Sequence, residues 1–103
     1  MSRVLVQEDG GSVRVSEAAL TEIVRRAVAS VDGARLRKGR RRLGVEIEDG
    51  RARAELQLAV AYGRVLPEVS AAAQERVADA LVRMCGVEIE AVDVTVEQLE
   101  RAR

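Results

Sequence analysis

The dipeptide Asp49-Gly50 stands between two runs of strict alternation, and this arrangement constrains the fold more than any other feature of the chain. Before it, Leu43, Val45 and Ile47 alternate with Gly44, Glu46 and Glu48. After it, Ala52, Ala54, Leu56, Leu58, Val60 and Tyr62 alternate with Arg51, Arg53, Glu55, Gln57, Ala59 and Ala61. A period of two marks a strand with one buried face, and Asp-Gly accepts the positive φ angles that a two-residue type I′ turn requires. Closing the turn there pairs Glu48 with Arg51 and Glu46 with Arg53 on one face. The same register sets Ile47 opposite Ala52, Val45 opposite Ala54 and Leu43 opposite Leu56 on the other. Opposite charges meet on the wet side and apolar residues on the dry side, each pair contributing roughly 0.2–1 kcal/mol.

A helix is expected on each side of this hairpin. Leu20, Ile23, Val24, Ala27, Val28 and Val31 recur at threes and fours and form one apolar stripe, with Ser16 placed as N-cap and Asp32-Gly33 as the stop. Glu22 and Arg26 make a favourable i,i+4 pair on the exposed side. The second helix opens near Pro67, carries Val69, Ala73, Val77, Ala80, Leu81 and Met84 on its apolar arc, and ends at Gly86, a residue suited to a left-handed cap. Val13-Arg14-Val15 reads as a short strand feeding the first helix, while Val4-Leu5-Val6 fits either an edge strand or an ordered arm.

The closing strand changes parity. Val87 and Ile89 are followed by Val92, Val94 and Val96, so a regular strand would turn half of its apolar residues outward. A β-bulge or kink at Glu90–Ala91 is expected to restore one buried face. Residues after Glu97 are expected to fray. The element order is β-α-β-β-α-β, which predicts an α+β fold of two layers, a sandwich with both helices on one face of a mainly antiparallel sheet. A ferredoxin-like arrangement shares that order, and the strand order in space stays open. One domain over residues 1–103 is expected, its core at about 11–99 between a flexible N-terminal arm and a C-terminal tail.

Composition then removes whole classes of function. The chain has no histidine, so it has no imidazole base and no Ser-His or Cys-His pair. Its one cysteine, Cys85, lies in the apolar run Leu81–Cys85 and reads as a small buried hydrophobe. Glu46 and Glu48 belong to a charged strand face and Asp49 to a turn, so these carboxylates do not read as general acids or bases. Asp9-Gly10-Gly11 lacks the Gly-Lys-Ser/Thr ending of a phosphate loop. No catalytic residue, metal site, cofactor or small-molecule substrate is expected. Seventeen cations balance seventeen anions, which leaves no global field to recruit nucleic acid or lipid. No apolar run reaches the roughly 20 residues that span a bilayer, so a cytoplasmic protein is expected.

One anomaly remains. Arg35, Arg37, Lys38, Arg40, Arg41 and Arg42 place six cations in eight positions with no counter-charge in the segment, which reads as a loop. Such a run is an ordinary solvated loop or a contact for an anionic partner: an acidic protein, a membrane surface or a nucleic acid. The single aromatic residue, Tyr62, leaves almost nothing for bases to stack on and counts against nucleic acid. Tyr62, Gly63, Glu68 and Gln74 gather around the turn into the second helix as candidate contacts for a protein partner. The small residues Ala59 and Ala61 offer a flat contact if their face is uncovered.

The order of motifs resembles the alkaline-shock-protein family, the envelope or general stress proteins of Gram-positive bacteria. The resemblance runs from about Gly11 to Leu99. It rests on Val13-Arg14-Val15-Ser16, Asp32-Gly33, Tyr62-Gly63, Pro67-Glu68-Val69, Gln74-Glu75-Arg76-Val77, Met84-Cys85-Gly86-Val87 and Val92-Asp93-Val94-Thr95-Val96. It implies a small non-catalytic protein of the envelope stress response, kept near the membrane by a membrane-anchored protein partner or acting through self-association. The chain departs from the family pattern in its short cationic loop, in Cys85 where Thr is usual and in Asp93 where Asn is usual.

Overall fold

The structure is a computed structural model that describes residues 4–8, 11–37 and 43–101. The elements are β1 (Val4–Glu8), β2 (Gly11–Val15), α1 (Glu17–Ala29), β3 (Ala34–Leu36), β4 (Leu43–Glu48), β5 (Arg51–Ala61), α2 (Leu66–Cys85) and β6 (Glu88–Glu100). The Asp49-Gly50 turn forms as expected, with φ of 51° and 75°. The observed β4–β5 register is the one the alternation implies, from Glu48 opposite Arg51 to Leu43 opposite Leu56.

β5 lies at the centre of the main sheet. β4 and β3 pair antiparallel with successive stretches of one edge, Arg51–Leu56 and Leu58–Val60, and β6 pairs with the other edge. Two of the three pairings are antiparallel. The third, β5 with β6, is parallel, because the intervening α2 carries the chain back to the end at which β5 began. β1 and β2 form a separate two-stranded antiparallel hairpin. The strand expected before α1 therefore pairs with the N-terminal strand and does not enter the main sheet.

The bulge expected at Glu90–Ala91 is present. Ala52 faces Ile89 and Arg53 faces Ala91, so Glu90 is the extra residue. A second register shift follows at Glu97, between the pairs Leu58–Val96 and Ala59–Gln98. β6 thus continues to Glu100, where the sequence pattern alone suggests a frayed end. Each bulge turns an apolar set back to the same face.

Side chains from α1, α2 and the inner face of β5 fill the core. Leu20, Val24, Val28, Leu56, Leu58, Val60, Val77 and Leu81 are almost fully buried, each contributing roughly 1.5–3 kcal/mol on transfer from water. The Ser16 hydroxyl accepts from the Ala19 N–H at 3.1 Å and caps α1. Gly86 closes α2 in the left-handed conformation with φ 66°, its N–H donating to the Val82 carbonyl at 3.0 Å.

The buried row on α2 is Val69, Ala73, Val77, Leu81 and Cys85. Met84, expected on the apolar arc, is 66% exposed. Steps of four overshoot a helical turn by about 40°, so the contact line drifts around the helix and reaches Cys85 at the last turn. Leu58→Ala should lower unfolding free energy by about 2–5 kcal/mol and Met84→Ala by under about 0.5 kcal/mol, as read from urea midpoints at constant m.

Candidate interaction surface

Two turns and a strand end meet at one end of the molecule. The first is Val31–Ala34 between α1 and β3, the second is Tyr62–Val65 between β5 and α2, and the third segment is the end of β6 at Leu99–Glu100. Hydrogen bonds tie them together. The Ala61 N–H donates to the Gly33 carbonyl at 2.8 Å, and the Tyr62 N–H donates to the Glu100 carbonyl. The Arg64 guanidinium reaches the Asp32 carboxylate at 2.6 Å and its stem lies over Gly33. A side chain at Gly33 would meet Arg64 Cγ at 3.0 Å, and φ there is 84°, so glycine fits on both counts.

Four large apolar groups stay in water at this end, as Val82 and Met84 do on the last turns of α2. Tyr62 is 69% exposed, Val65 55%, Leu66 36% and Leu99 51%. Tyr62 and Leu99 carry the inward parity of their strands but lie past the cover of α2, so neither packs in the core. Gly63 turns the chain here with φ 96°. A shallow depression of about 300 Å³ lies alongside, lined by Val31, Asp32, Gly33, Arg35, Ala61 and Glu100 among others.

Of the four candidates for a protein contact, Tyr62 and Gly63 belong to this end and Glu68 stands exposed on the first turn of α2. Gln74 does not: its side-chain amide donates to the Val92 carbonyl at 3.0 Å and ties α2 to β6. No local signal in the sequence marks Val65, Leu66 and Leu99 as surface residues. The first two look like the start of a helix, and Leu99 lies beyond the second bulge.

The basic segment divides. Arg35 lies in β3, not in a loop, and its guanidinium makes a double contact with the Glu100 carboxylate, Nε to Oε1 at 2.7 Å. The carboxylate beside it raises the Arg35 pKa further. Arg37 donates its backbone N–H to the Gln57 carbonyl at 2.9 Å and lies 3.7 Å from the Glu97 carboxylate. The missing counter-charges are therefore supplied by β6. Lys38, Arg40, Arg41 and Arg42 lie outside the described residues.

The open face of the sheet extends the same pattern. Arg51 approaches Glu88 at 3.8 Å and Arg53 approaches Glu90 at 3.6 Å. Together with Arg35–Glu100 and Arg37–Glu97 they form ion pairs that tie the bulged β6 to the rest of the sheet. Exposed pairs of this kind contribute about 0–1 kcal/mol each, so they fix register more than they add stability. Ala59 is 1% exposed and Ala61 partly buried, so the flat contact expected at these alanines is largely covered.

Chemistry is sparse. Cys85 is buried among apolar side chains, and burial pushes its thiol up, away from the reactive thiolate. Among the described residues no group of three or more carboxylate, thiol or imidazole side chains is arranged to hold a metal. No described helix is long and apolar enough to cross a membrane. Cys85 should react with a thiol reagent at well under a tenth of the unfolded rate in native buffer and fully in urea, measured by absorbance of the released chromophore.

The family model for alkaline shock protein 23, described as having a cell envelope-related function, matches residues 34–101. Among solved structures, a MamM-CTD structure is similar with TM-score 0.54 and 18% identity over 81% of this chain and 99% of that one. A cadmium form of a MamM CTD variant gives TM-score 0.52 and 20% identity over 79% and 94%. A nickel form of another variant gives TM-score 0.52 and 18% identity over 79% and 96%. These likenesses concern the fold. Among curated proteins no sequence match is found.

Proposed function

This chain belongs to the alkaline shock protein 23 family, whose function is cell envelope-related, and from that premise we propose that it is a non-enzymatic interaction module of the envelope stress response. Its contact surface is the end of the molecule built from Tyr62, Gly63, Val65, Leu66, Glu68 and Leu99. The partner is a membrane-associated protein that holds this chain near the envelope.

The observation that carries the reading is the exposure of four large apolar side chains on a rigid frame. Tyr62 alone is 69% exposed although it directly follows the central strand β5. An aromatic ring such as that of Tyr62, held still in water, is a usual anchor of a protein contact, because little side-chain freedom is lost when it is covered. The hydrogen bonds of Ala61 and Tyr62 and the Arg64–Asp32 pair hold that frame before any partner arrives.

An anionic nucleic acid at the basic segment is the weaker reading. Arg35 and Arg37 already face Glu100 and Glu97, which leaves Lys38, Arg40, Arg41 and Arg42 to carry it. The Tyr62→Ser and Leu99→Ser double variant should lose at least about tenfold in affinity for the membrane-fraction partner, equivalent to roughly 1.4 kcal/mol. Triple replacement of Arg40, Arg41 and Arg42 by Ser should leave that affinity within about twofold. Pull-down from nuclease-treated membrane and soluble fractions, followed by titration of the captured protein, reads both results. Loss in the triple variant with retention in the double variant would reverse the assignment.

A further inference from the structure

We propose that the outer edge of β6 takes up an extended, lysine- or arginine-bearing segment of a partner protein as an added strand, at a surface distinct from the Tyr62 end. β6 pairs with β5 along one edge, and no described strand pairs with the other. The Glu88 N–H donates to the Gly50 carbonyl and the Glu100 carbonyl accepts from the Tyr62 N–H, so both groups point to the β5 side. The Val92 carbonyl accepts from the Gln74 side-chain amide at 3.0 Å and points the opposite way. The strand is regular between its two register shifts, so alternation sends the N–H and C=O groups of Val94 and Val96 to that same outer edge. Backbone groups presented in a row are a template for one more strand.

The charges beside this edge select the strand that fits. β6 carries five carboxylates and no cation. Glu88, Glu90, Glu97 and Glu100 are each matched by an arginine of this chain. Among the described residues Asp93 has no such partner, and neither has Glu55, which lies opposite it in the β5–β6 register. The two acids line a depression of about 440 Å³ on the open face, together with Gly44, Gln57 and Thr95. Gly44 has no side chain to fill it. A cation on an added strand would stand one strand spacing, about 4.8 Å, from Asp93, and a lysine or arginine stem is long enough to carry its charge towards Glu55.

On the other face the same edge is flanked by α2. α1 packs against the far flank of that helix, where Arg76 donates to the Ser30 hydroxyl at 2.9 Å. Gln74 marks the flank above the β6 edge. At 100° per residue, Ala71, Ala78 and Val82 all fall within about 80° of Gln74 on the side away from α1. Val82 is 46% exposed there. Small and apolar groups thus form a ledge on which apolar side chains of an added strand can rest. Successive residues of a strand point to opposite faces, so a segment of alternating cations and apolar residues meets both the acids and the ledge. An acidic segment would face Asp93 and Glu55 with like charge.

Titration of the full chain with a labelled short peptide of alternating lysine and valine tests the proposal, read by fluorescence anisotropy and by amide hydrogen exchange of the protein. The lysine peptide should bind at least about tenfold more tightly than its glutamate counterpart, and at least about tenfold more tightly than a copy with proline in place of a central valine. Binding should protect the Val94 and Val96 amides. Asp93→Lys, at an exposed position, should cut the preference for lysine over glutamate at least about fivefold with the thermal transition retained. Tyr62→Ser should leave the peptide affinity within about twofold, which separates this edge from the Tyr62 surface. Any of four results would overturn the proposal: no binding of the lysine peptide, equal binding of the glutamate peptide, binding without protection of Val94 and Val96, or protection of both amides in the chain alone.

Discussion

Both edges of β5 are hydrogen-bonded along almost its whole length, and every other element takes its position from that fact. A strand paired on both sides and buried on its inner face can hold no polar residue at Ala52, Ala54, Leu56, Leu58 or Val60 without an unpaired group in the core. Those five positions are apolar and nearly inaccessible. The helices then have one face to cover. α2 lies over the β5–β6 side and so sets β6 parallel, while α1 packs against α2 and β3.

Much of this is legible in the residues because local chemistry specifies it. Asp49 and Gly50 accept the positive φ angles that fix the hairpin register, Ser16 caps α1, and the parity change after Ile89 locates the first bulge. The second bulge carries the same signal, from Val96 to Leu99, but a polar and charged terminus hides it. β3 is a different case. Ala34, Arg35 and Leu36 form a strand only because Leu58–Val60 offers an unpaired edge and Glu100 neutralises Arg35. Neither condition is local, since Glu100 lies 65 residues further along the chain.

The candidate surface was half legible for the same reason. Tyr62 and Gly63 announce a turn, and an aromatic ring at a strand end draws notice. Val65, Leu66 and Leu99 become part of a surface only when the end of β6 comes beside the β5–α2 turn. Conversely, six clustered cations suggest a free charged loop until folding matches two of them with acids of β6. Charge read along a sequence is gross charge, and the sheet reduces it.

A rigid apolar end, rather than a charged loop, is proposed to meet the envelope partner. Replacing Tyr62 by a photo-cross-linking phenylalanine derivative in growing cells, with matched replacements at Arg41 and at the exposed Glu75 on α2, measures this directly. The account predicts one dominant protein adduct from position 62, recovered with the membrane fraction, and only background from positions 41 and 75. An adduct from position 41 with none from 62 would contradict it.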